Sequence, residues 1–385
     1  MMEDTRPSLI RAKTSKQVIS WPYIGQLLIF GVVYFVVARL GYLVPYDGQI
    51  ATLVWPATGL SLAILLLFGI RYWPGITLGA ALLALSNRHS LPLLIGVVIA
   101  HTVEPLLGTY LLRRYTRFHN SLENINDVLA LVIIGVLLST LLSASIGAFA
   151  FRVSPEGANK MLLYVWWEWW IGHTTSIVSI TPFVLTWYAN RRLNWTWQKQ
   201  LEAALALTGL VIVSALVFVR LPAVGNYPLG HVVFPFLLWF ALRFGPREVA
   251  TASLVTLSIA VWGTVTGSGP FARSVPDLNL LLLLTFVLAV ILTALIISSV
   301  LAQLRHAREA LQQNNAQLEA NVAARTEQLS QANLQLRQKI VERDLMHREL
   351  AQARDQALDV LRLKSQILAN ISHDARTPKC DFAAN

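Results

Sequence analysis

His373 is the residue whose type and neighbours point most directly to chemistry. It lies in the run L-K-S-Q-I-L-A-N-I-S-H-D-A-R-T-P, residues 363–378, and Asp374 follows it directly. A neutral imidazole is a good nucleophile, and an adjacent carboxylate can fix its tautomer and accept its proton. Pro378 lacks a backbone N–H and would bend or end a helix just after the histidine. From these residues alone, a surface histidine without a role is the more common explanation.

Four ionisable residues in apolar surroundings form a second candidate site: His101, Glu104, Glu168 and His173. His101 and Glu104 are three residues apart and share one face of a helix, whereas Glu168 and His173 lie in the run Y-V-W-W-E-W-W-I-G-H. Ionisable groups inside a membrane span are costly, and they usually have partners and face the bundle interior or a cavity. These four could form a ligand-binding or proton-sensing site. A polar clamp between helices is the simpler interpretation, and Glu168 could instead lie at the membrane boundary.

The tryptophans around Glu168 are expected to be structural. Aromatic residues concentrate at membrane–water interfaces, and this cluster opens an apolar stretch. The four residues are Trp166, Trp167, Trp169 and Trp170.

Membrane helices are the elements that must position these residues. The chain has 385 residues, of which 55% are hydrophobic and 14% charged, and its mean hydropathy is +0.54. Soluble domains carry roughly 25% charged residues, so this composition excludes an ordinary cytosolic enzyme and a disordered chain. The single cysteine, Cys380, excludes a disulfide scaffold. We therefore predict an all-α, polytopic membrane protein.

The apolar stretches set the predicted number of spans. A helix needs roughly 20 mainly apolar residues to cross the hydrocarbon core. Ten stretches approach this length, and because the third and eighth are short we expect eight to ten spans. Helices are predicted because each segment must satisfy its own backbone groups, and nothing here alternates like a barrel strand. The stretches are 22–40, 52–70, 73–87, 91–112, 127–150, 162–188, 202–220, 230–243, 247–266 and 278–302.

The basic residues predict the orientation. The net charge of +10 arises mainly in short loops between the apolar stretches, a pattern typical of topology determinants rather than of a nucleic-acid-binding face. With ten spans, thirteen basic residues lie on the side of the amino terminus and six on the opposite side. The positive-inside rule then places the amino terminus and the charged tail in the cytoplasm. The thirteen are Arg6, Arg11, Lys13, Lys16, Arg71, Arg113, Arg114, Arg117, Arg191, Arg192, Lys199, Arg243 and Arg247, and the six are Arg39, Arg88, Arg152, Lys160, Arg220 and Arg273.

From Leu304 the hydrophobic pattern changes to heptads. Two strands that supercoil along such a seam would bury it, with Glu and Arg at the flanks. A lone solvated helix is the alternative, but polar helices of this length are rarely stable without a partner. We therefore expect a parallel homodimer that continues from the last span. The seam consists of Leu304, Leu311 and Leu318, then Val322, Leu329 and Leu336, with Ala332 at a partner position and Arg325 and Lys339 as interruptions.

Proline and glycine motifs at the edges of the stretches resemble a known sensory family. The motifs are W-P-A-T-G-L-S-L-A from Trp55, R-Y-W-P-G-I-T-L-G-A from Arg71, E-P-L-L-G-T-Y-L-L-R-R from Glu104, F-G-P-R-E-V-A from Phe244 and A-V-W-G-T-V-T-G-S-G-P-F from Ala260. Together they resemble the membrane-associated sensor domain of the first MASE type, an input module of bacterial signalling proteins, over roughly residues 20–300. At His173 that family usually has an acidic residue. The resemblance implies a sensory domain in the bacterial inner membrane.

The run L-A-N-I-S-H-D-A-R-T-P resembles the H-box of sensor histidine kinases. The resemblance implies a membrane-bound sensor of a two-component phosphorelay. It also implies a role for each matching residue. His373 would be the phosphoacceptor, Asp374 its acid/base neighbour and Arg376 a residue near the phosphates, while Thr377 and Pro378 would shape the helix.

After Pro378 the family pattern ends, because K-C-D-F-A-A-N follows. The second dimerisation helix and the ATP-binding domain of such kinases are not found in the sequence. We therefore expect a truncated kinase that is inactive by itself, with no cofactor in this chain and with ATP and Mg²⁺ needed only by the missing catalytic domain. The expected partners are a second copy, membrane lipid and a cognate response regulator or receiver domain, but no nucleic acid.

The sequence thus divides into four predicted regions. These are a cytoplasmic segment over 1–20, the membrane sensor over 21–303, a coiled-coil linker over 304–350 and a truncated dimerisation and phosphoacceptor segment over 351–385. One alternative is a non-catalytic membrane sensory or scaffold protein. A transporter that uses the four buried ionisable groups is another, but no internal repeat is detectable.

Overall fold

The computed structural model describes residues 21–42, 52–157, 161–191, 195–220, 229–272 and 276–374. Every regular element in these ranges is helical, which confirms the predicted all-α polytopic bundle. The chain separates into two compact units, Met1–His306 and Ala307–Asn385. The predicted segment 1–20 lies outside the described residues.

Twelve α-helices occur in the described residues. They are α1 (Trp21–Tyr42), α2 (Pro56–Phe68), α3 (Trp73–Ser86), α4 (Leu91–Tyr115), α5 (Ile125–Ala130), α6 (Thr140–Arg152), α7 (Leu162–Ala189), α8 (Trp197–Ala215), α9 (Phe234–Arg243), α10 (Pro246–Val265), α11 (Pro276–Phe286) and α12 (Thr293–Asp374). Three π-helical segments extend or join them, at Leu131–Ser139, Leu216–Arg220 and Val287–Leu292. Short 3₁₀ turns occupy Ile70–Tyr72, Pro155–Gly157 and Leu229–Val233.

Six helical runs in the described ranges are long and apolar enough to cross a membrane. They are Trp21–Tyr42, Leu91–Tyr115, Ile125–Arg152, Trp197–Val219, Pro246–Val265 and the apolar start of Leu278–Ser372. Two further apolar helices, Pro56–Phe68 and Leu229–Arg243, are shorter. The bundle is therefore polytopic, and the count of eight to ten spans stays a prediction.

The second predicted stretch, 52–70, is helical over a shorter range. Helix α2 begins at Pro56, whose fixed φ suits the first helical position. It ends before Gly69, which has a φ of +104°, a conformation that favours glycine. The 13 residues between are too few to span the hydrocarbon core alone.

Small residues bring the helices into close contact. A methyl group on Gly96 of α4 would lie 1.9 Å from the Cβ of Ala150 on α6, and one on Gly59 of α2 would lie 2.5 Å from the carbonyl oxygen of Ser176 on α7. Such small residues let helix backbones approach closely in membrane proteins. Helix α7 packs against α2, α6 and α10, and it is the most buried of the long helices in the bundle.

Contacts between loops and helix ends define the two ends of the bundle. At one end, the hydroxyl of Tyr23 donates to the backbone oxygen of Arg71 over 2.7 Å. At the other end, Arg39 donates to Asn87 over 3.0 Å, and Ser90 donates to the carboxylate of Glu156 over 2.7 Å. The predicted cytoplasmic and external loops thus lie at opposite ends.

The start of α12 is held by loops at the predicted cytoplasmic end. The Ser299 hydroxyl donates to the backbone oxygen of Leu122 over 2.6 Å. The guanidinium of Arg305 donates to the backbone oxygens of Leu242 and Phe244, at the end of α9. These loops connect α4 to α5 and α9 to α10, so the start of α12 is hydrogen-bonded to both connections.

The second unit is described as one helix, which continues to Asp374. The seam leucines of this unit, Leu311, Leu318, Leu329 and Leu336, are 57–65% exposed in the single chain. The heptad dimer stays a prediction.

Candidate functional site

Two helices with internal prolines carry the central polar cluster of the bundle. His101 lies ten residues into α4 and His173 eleven residues into α7, so both are roughly 15–17 Å from the same end of the bundle. Pro105 follows His101 by four residues and cannot donate the hydrogen bond that the backbone oxygen of His101 would normally accept. Helix α7 contains Pro182. The cluster therefore lies at mid-depth, where one of its helices has a weakened backbone.

His173 is hydrogen-bonded to residues on two other helices. Its Nδ1 lies 2.7 Å from the Oε2 of Glu104 on α4 and 3.1 Å from the hydroxyl of Thr58 on α2. All three groups are buried, and Glu104 is only 1% exposed. The carboxylate and the hydroxyl therefore approach the same ring nitrogen of His173.

Aromatic rings surround His101. Its imidazole stacks on Trp55 at 5.6 Å, on Trp169 at 5.4 Å and on His173 at 5.3 Å between ring centroids. The interplanar angles are 19°, 25° and 19°. Among the residues that the structure describes, none forms a hydrogen bond with this imidazole. The ring is thus oriented by stacking while its nitrogens stay available.

The backbone around Gly172 holds Trp55 in this stack. The backbone N–H of Trp55 donates to the oxygen of Gly172 over 3.1 Å. A methyl group on Gly172 would lie 2.8 Å from the backbone oxygen of Thr52. A glycine at this point is therefore what lets the segment before α2 lie directly on α7.

A cavity of about 70 Å³ reaches the cluster, enough for several water molecules. Its wall includes His101, His173, Trp55 and Trp169, and it extends to His89, in the loop between α3 and α4. Burial lowers the pKa of His89 against the opposing charge of Glu156, which favours a neutral imidazole there. The cavity thus connects the cluster to the end of the bundle that is predicted to be external.

Comparison with protein families identifies the family to which this bundle belongs. The MASE1 family model matches residues 26–305, nearly three quarters of the chain. The chain belongs to the MASE1 family. MASE1 is a membrane-associated sensory domain found in signalling proteins. Comparisons with curated proteins and with solved structures found no match.

The MASE1 bundle brings together three of the four buried residues that the sequence singled out. One ligating atom from each of His101, Glu104 and His173 lies within 4.8 Å of the others. Glu168 is fully buried on α7 and lies outside this group. The spacing of His101 and Glu104 indicated their shared face, but His173 contacts Glu104 across two helices rather than pairing with Glu168.

Trp55 and Thr58 are not among the predicted site residues, and Trp169 is predicted to lie at the membrane interface. Trp169 is only 8% exposed and forms part of the cavity wall. The signal available for Trp55 was its position in the family motif W-P-A-T-G.

The predicted phosphoacceptor segment lies at the end of α12. The backbone at His373 and Asp374 is helical, and their side chains lie outside the described set. Arg376, Thr377 and Pro378 lie outside the described residues. Their roles therefore stay predictions.

Proposed function

We propose that this chain is the membrane input component of a histidine-kinase phosphorelay and that His373 is its phosphoacceptor. The single observation that carries the proposal is the run L-A-N-I-S-H-D-A-R-T-P, which starts on the last turns of the helix that begins in the MASE1 bundle. The MASE1 match supports a sensory role for the membrane bundle. The resemblance to an H-box supports phosphoryl transfer to His373.

The proposed chemistry needs one nucleophile and one proton acceptor from this chain. An imidazole nitrogen of His373 attacks the γ-phosphorus of ATP, the bond from that phosphorus to the β-γ bridging oxygen breaks, and ADP leaves. Asp374 accepts the proton that the imidazole loses. ATP and Mg²⁺ are held by a separate catalytic domain, because phosphoryl transfer depends mainly on positioning and charge stabilisation. The phosphoryl group then passes to an aspartate of a receiver domain.

Signal transfer in this proposal uses the contacts at the start of α12. The loops after α4 and α9 are hydrogen-bonded to Ser299 and Arg305, so a displacement of α4 or α9 would change the position of the start of α12. A parallel dimer along Leu311, Leu318, Leu329 and Leu336 would carry that change to two His373 residues. Both termini of the chain would be cytoplasmic in the bacterial inner membrane.

The test is phosphorylation in trans. The full chain in lipid nanodiscs is mixed with γ-labelled ATP, Mg²⁺ and the separately purified catalytic domain of a related histidine kinase. We expect acid-labile label on the chain, its loss in His373→Gln, and no label when the added domain is left out. His347→Gln is the matched control, since His347 is an exposed histidine on the same helix, and it should keep the label. Label that persists in His373→Gln would refute the phosphoacceptor assignment.

A further inference from the structure

The buried cluster contains a polar atom that no described residue satisfies, which a simple polar clamp between helices would not leave. The bond between His173 and Glu104 uses one ring nitrogen and one carboxylate oxygen. The other oxygen of Glu104, Oε1, is buried and has no hydrogen-bond partner in the described part of the chain. Buried polar atoms in native proteins are nearly always paired, so an unpaired carboxylate oxygen here calls for a missing partner.

The donor set fits one class of partner. We propose that His101, Glu104 and His173 bind a divalent transition-metal ion of the Zn²⁺ type between α4 and α7. Two imidazoles and one carboxylate are a common protein ligand set for such ions when a further position is open to water or ligand. The cation would also pair with the carboxylate, whose charge is expensive to bury alone.

The spacing of the three groups is compatible with coordination. Metal–ligand bonds of about 2.0–2.2 Å in a tetrahedral site place ligand atoms about 3.3 Å apart. The atoms of this cluster lie within 4.8 Å of one another, so small side-chain rotations bring them to that distance. The ring of Trp169 lies 5.4 Å from that of His101 and 5.5 Å from that of His173 between centroids, and it limits the orientation of the two imidazoles.

The cavity supplies both the open coordination position and the route of entry. It is lined by His101 and His173 and extends to His89 at the predicted external end of the bundle. A metal ion from that side would reach the cluster without crossing the apolar core. Binding would draw α4 and α7 together, and α7 also packs on α11 and the π segment before α12. This step rests on the proposed function, in which the metal ion would be the stimulus of the sensory domain.

The test measures metal binding directly. The full chain in nanodiscs is stripped with a chelator, dialysed and titrated with Zn²⁺ and, for spectroscopy, with Co²⁺. We expect about one equivalent of either ion and visible Co²⁺ absorption bands typical of nitrogen and oxygen ligands, whereas Mg²⁺ should not compete. His173→Gln and Glu104→Gln each remove a direct ligand, so binding should weaken at least about 100-fold, the upper end of the effect of losing an outer-layer partner.

Two matched variants control for general disturbance. His89→Gln removes a histidine from the same cavity, and Glu168→Gln removes an equally buried carboxylate from α7; both should keep about one equivalent of metal. The Co²⁺ spectrum of the unmodified chain needs no variant, so poor folding of a mutant leaves the test intact. Absence of Co²⁺ bands and of stoichiometric Zn²⁺ uptake by the folded, unmodified chain would overturn the proposal. So would equal affinity in all four variants. Labelling of His373 is measured separately, so failure of either proposal leaves the other in place.

Discussion

The tail dimer gives the sharpest quantitative prediction. Leu329 and Leu334 are both exposed leucines on α12, at 65% and 59% exposure, but only Leu329 belongs to the heptad seam. Leu334 lies five positions after Leu329 and therefore faces away from a partner helix. The two substitutions Leu329→Ser and Leu334→Ser change helix propensity equally and differ only in the surface that a dimer would bury.

The exposed fractions set the size of the effect. Burying a whole leucine side chain stabilises by about 1.5–3 kcal/mol, and roughly 60% of each seam leucine is available for burial, which gives about 1–2 kcal/mol per residue. Leu329→Ser acts on both chains and should therefore weaken the dimer by about 2–4 kcal/mol, whereas Leu334→Ser should have no measurable effect. Replacing Leu311, Leu318, Leu329 and Leu336 together should abolish tail association.

Disulfide crosslinking of the full chain measures this difference. Ala353→Cys in a Cys380→Ser background places one thiol in each tail, and the crosslinked fraction is followed against protein-to-lipid ratio. Equal crosslinking in Leu329→Ser and Leu334→Ser would refute the seam. Unchanged crosslinking in the quadruple variant would show that the membrane unit alone holds the dimer.

Three further predictions test the bundle. Gly96→Ala places a methyl group 1.9 Å from the Cβ of Ala150 and should destabilise the α4–α6 contact by about 1–3 kcal/mol. The variant should therefore melt at a lower temperature in detergent. Gly25→Ala is the control, because its methyl group meets nothing within 4 Å and should leave the melting temperature unchanged. Hydrogen bonds from Ser90 lower the pKa of Glu156 to about 2, below its unfolded value, so their stabilisation should be constant above about pH 5 and disappear as the pH falls toward 2. The melting temperatures of the unmodified chain and of Glu156→Gln should therefore converge only in that acid range, and convergence at pH 7 would contradict the assignment. Reporter fusions after Arg192 and after Asp374 should behave as cytoplasmic and one after Lys160 as external, and a fusion after Asp374 that reports the outside would overturn the orientation.

Local spacing predicted what lies on one helix, and not which helices meet. The apolar stretches located the helices because burial in lipid demands long apolar runs. The i, i+3 spacing placed His101 and Glu104 on one face. The contact of His173 with Glu104 depends on how α7 and α4 each pack against α2. The position of α7 is set by close approaches at Gly59 and Gly172 that no periodicity reveals.

The bounds of α2 and the site of Trp169 show the same limit. Hydropathy extended the second stretch across Trp55 and Gly69, although the helix begins at Pro56 and ends before Gly69, which has a positive φ. Tryptophan is typical of membrane–water interfaces, and for this reason Trp169 is predicted to lie at one. Its neighbours in the fold, including His101 and Gly147, show that its ring also packs between helices of the bundle.

The π segment Val287–Leu292 lies directly before α12 and affects the direction in which the side chains of that helix point. A π turn holds one more residue than an α turn, and each residue of an α-helix accounts for about 100° of rotation. Converting this segment to regular α-helix would therefore turn Leu304 and every later side chain by about 100°, from the seam to a flank. A chimera that joins α12 to another membrane domain would therefore keep the seam in register only if the number of residues between Leu292 and the seam is preserved.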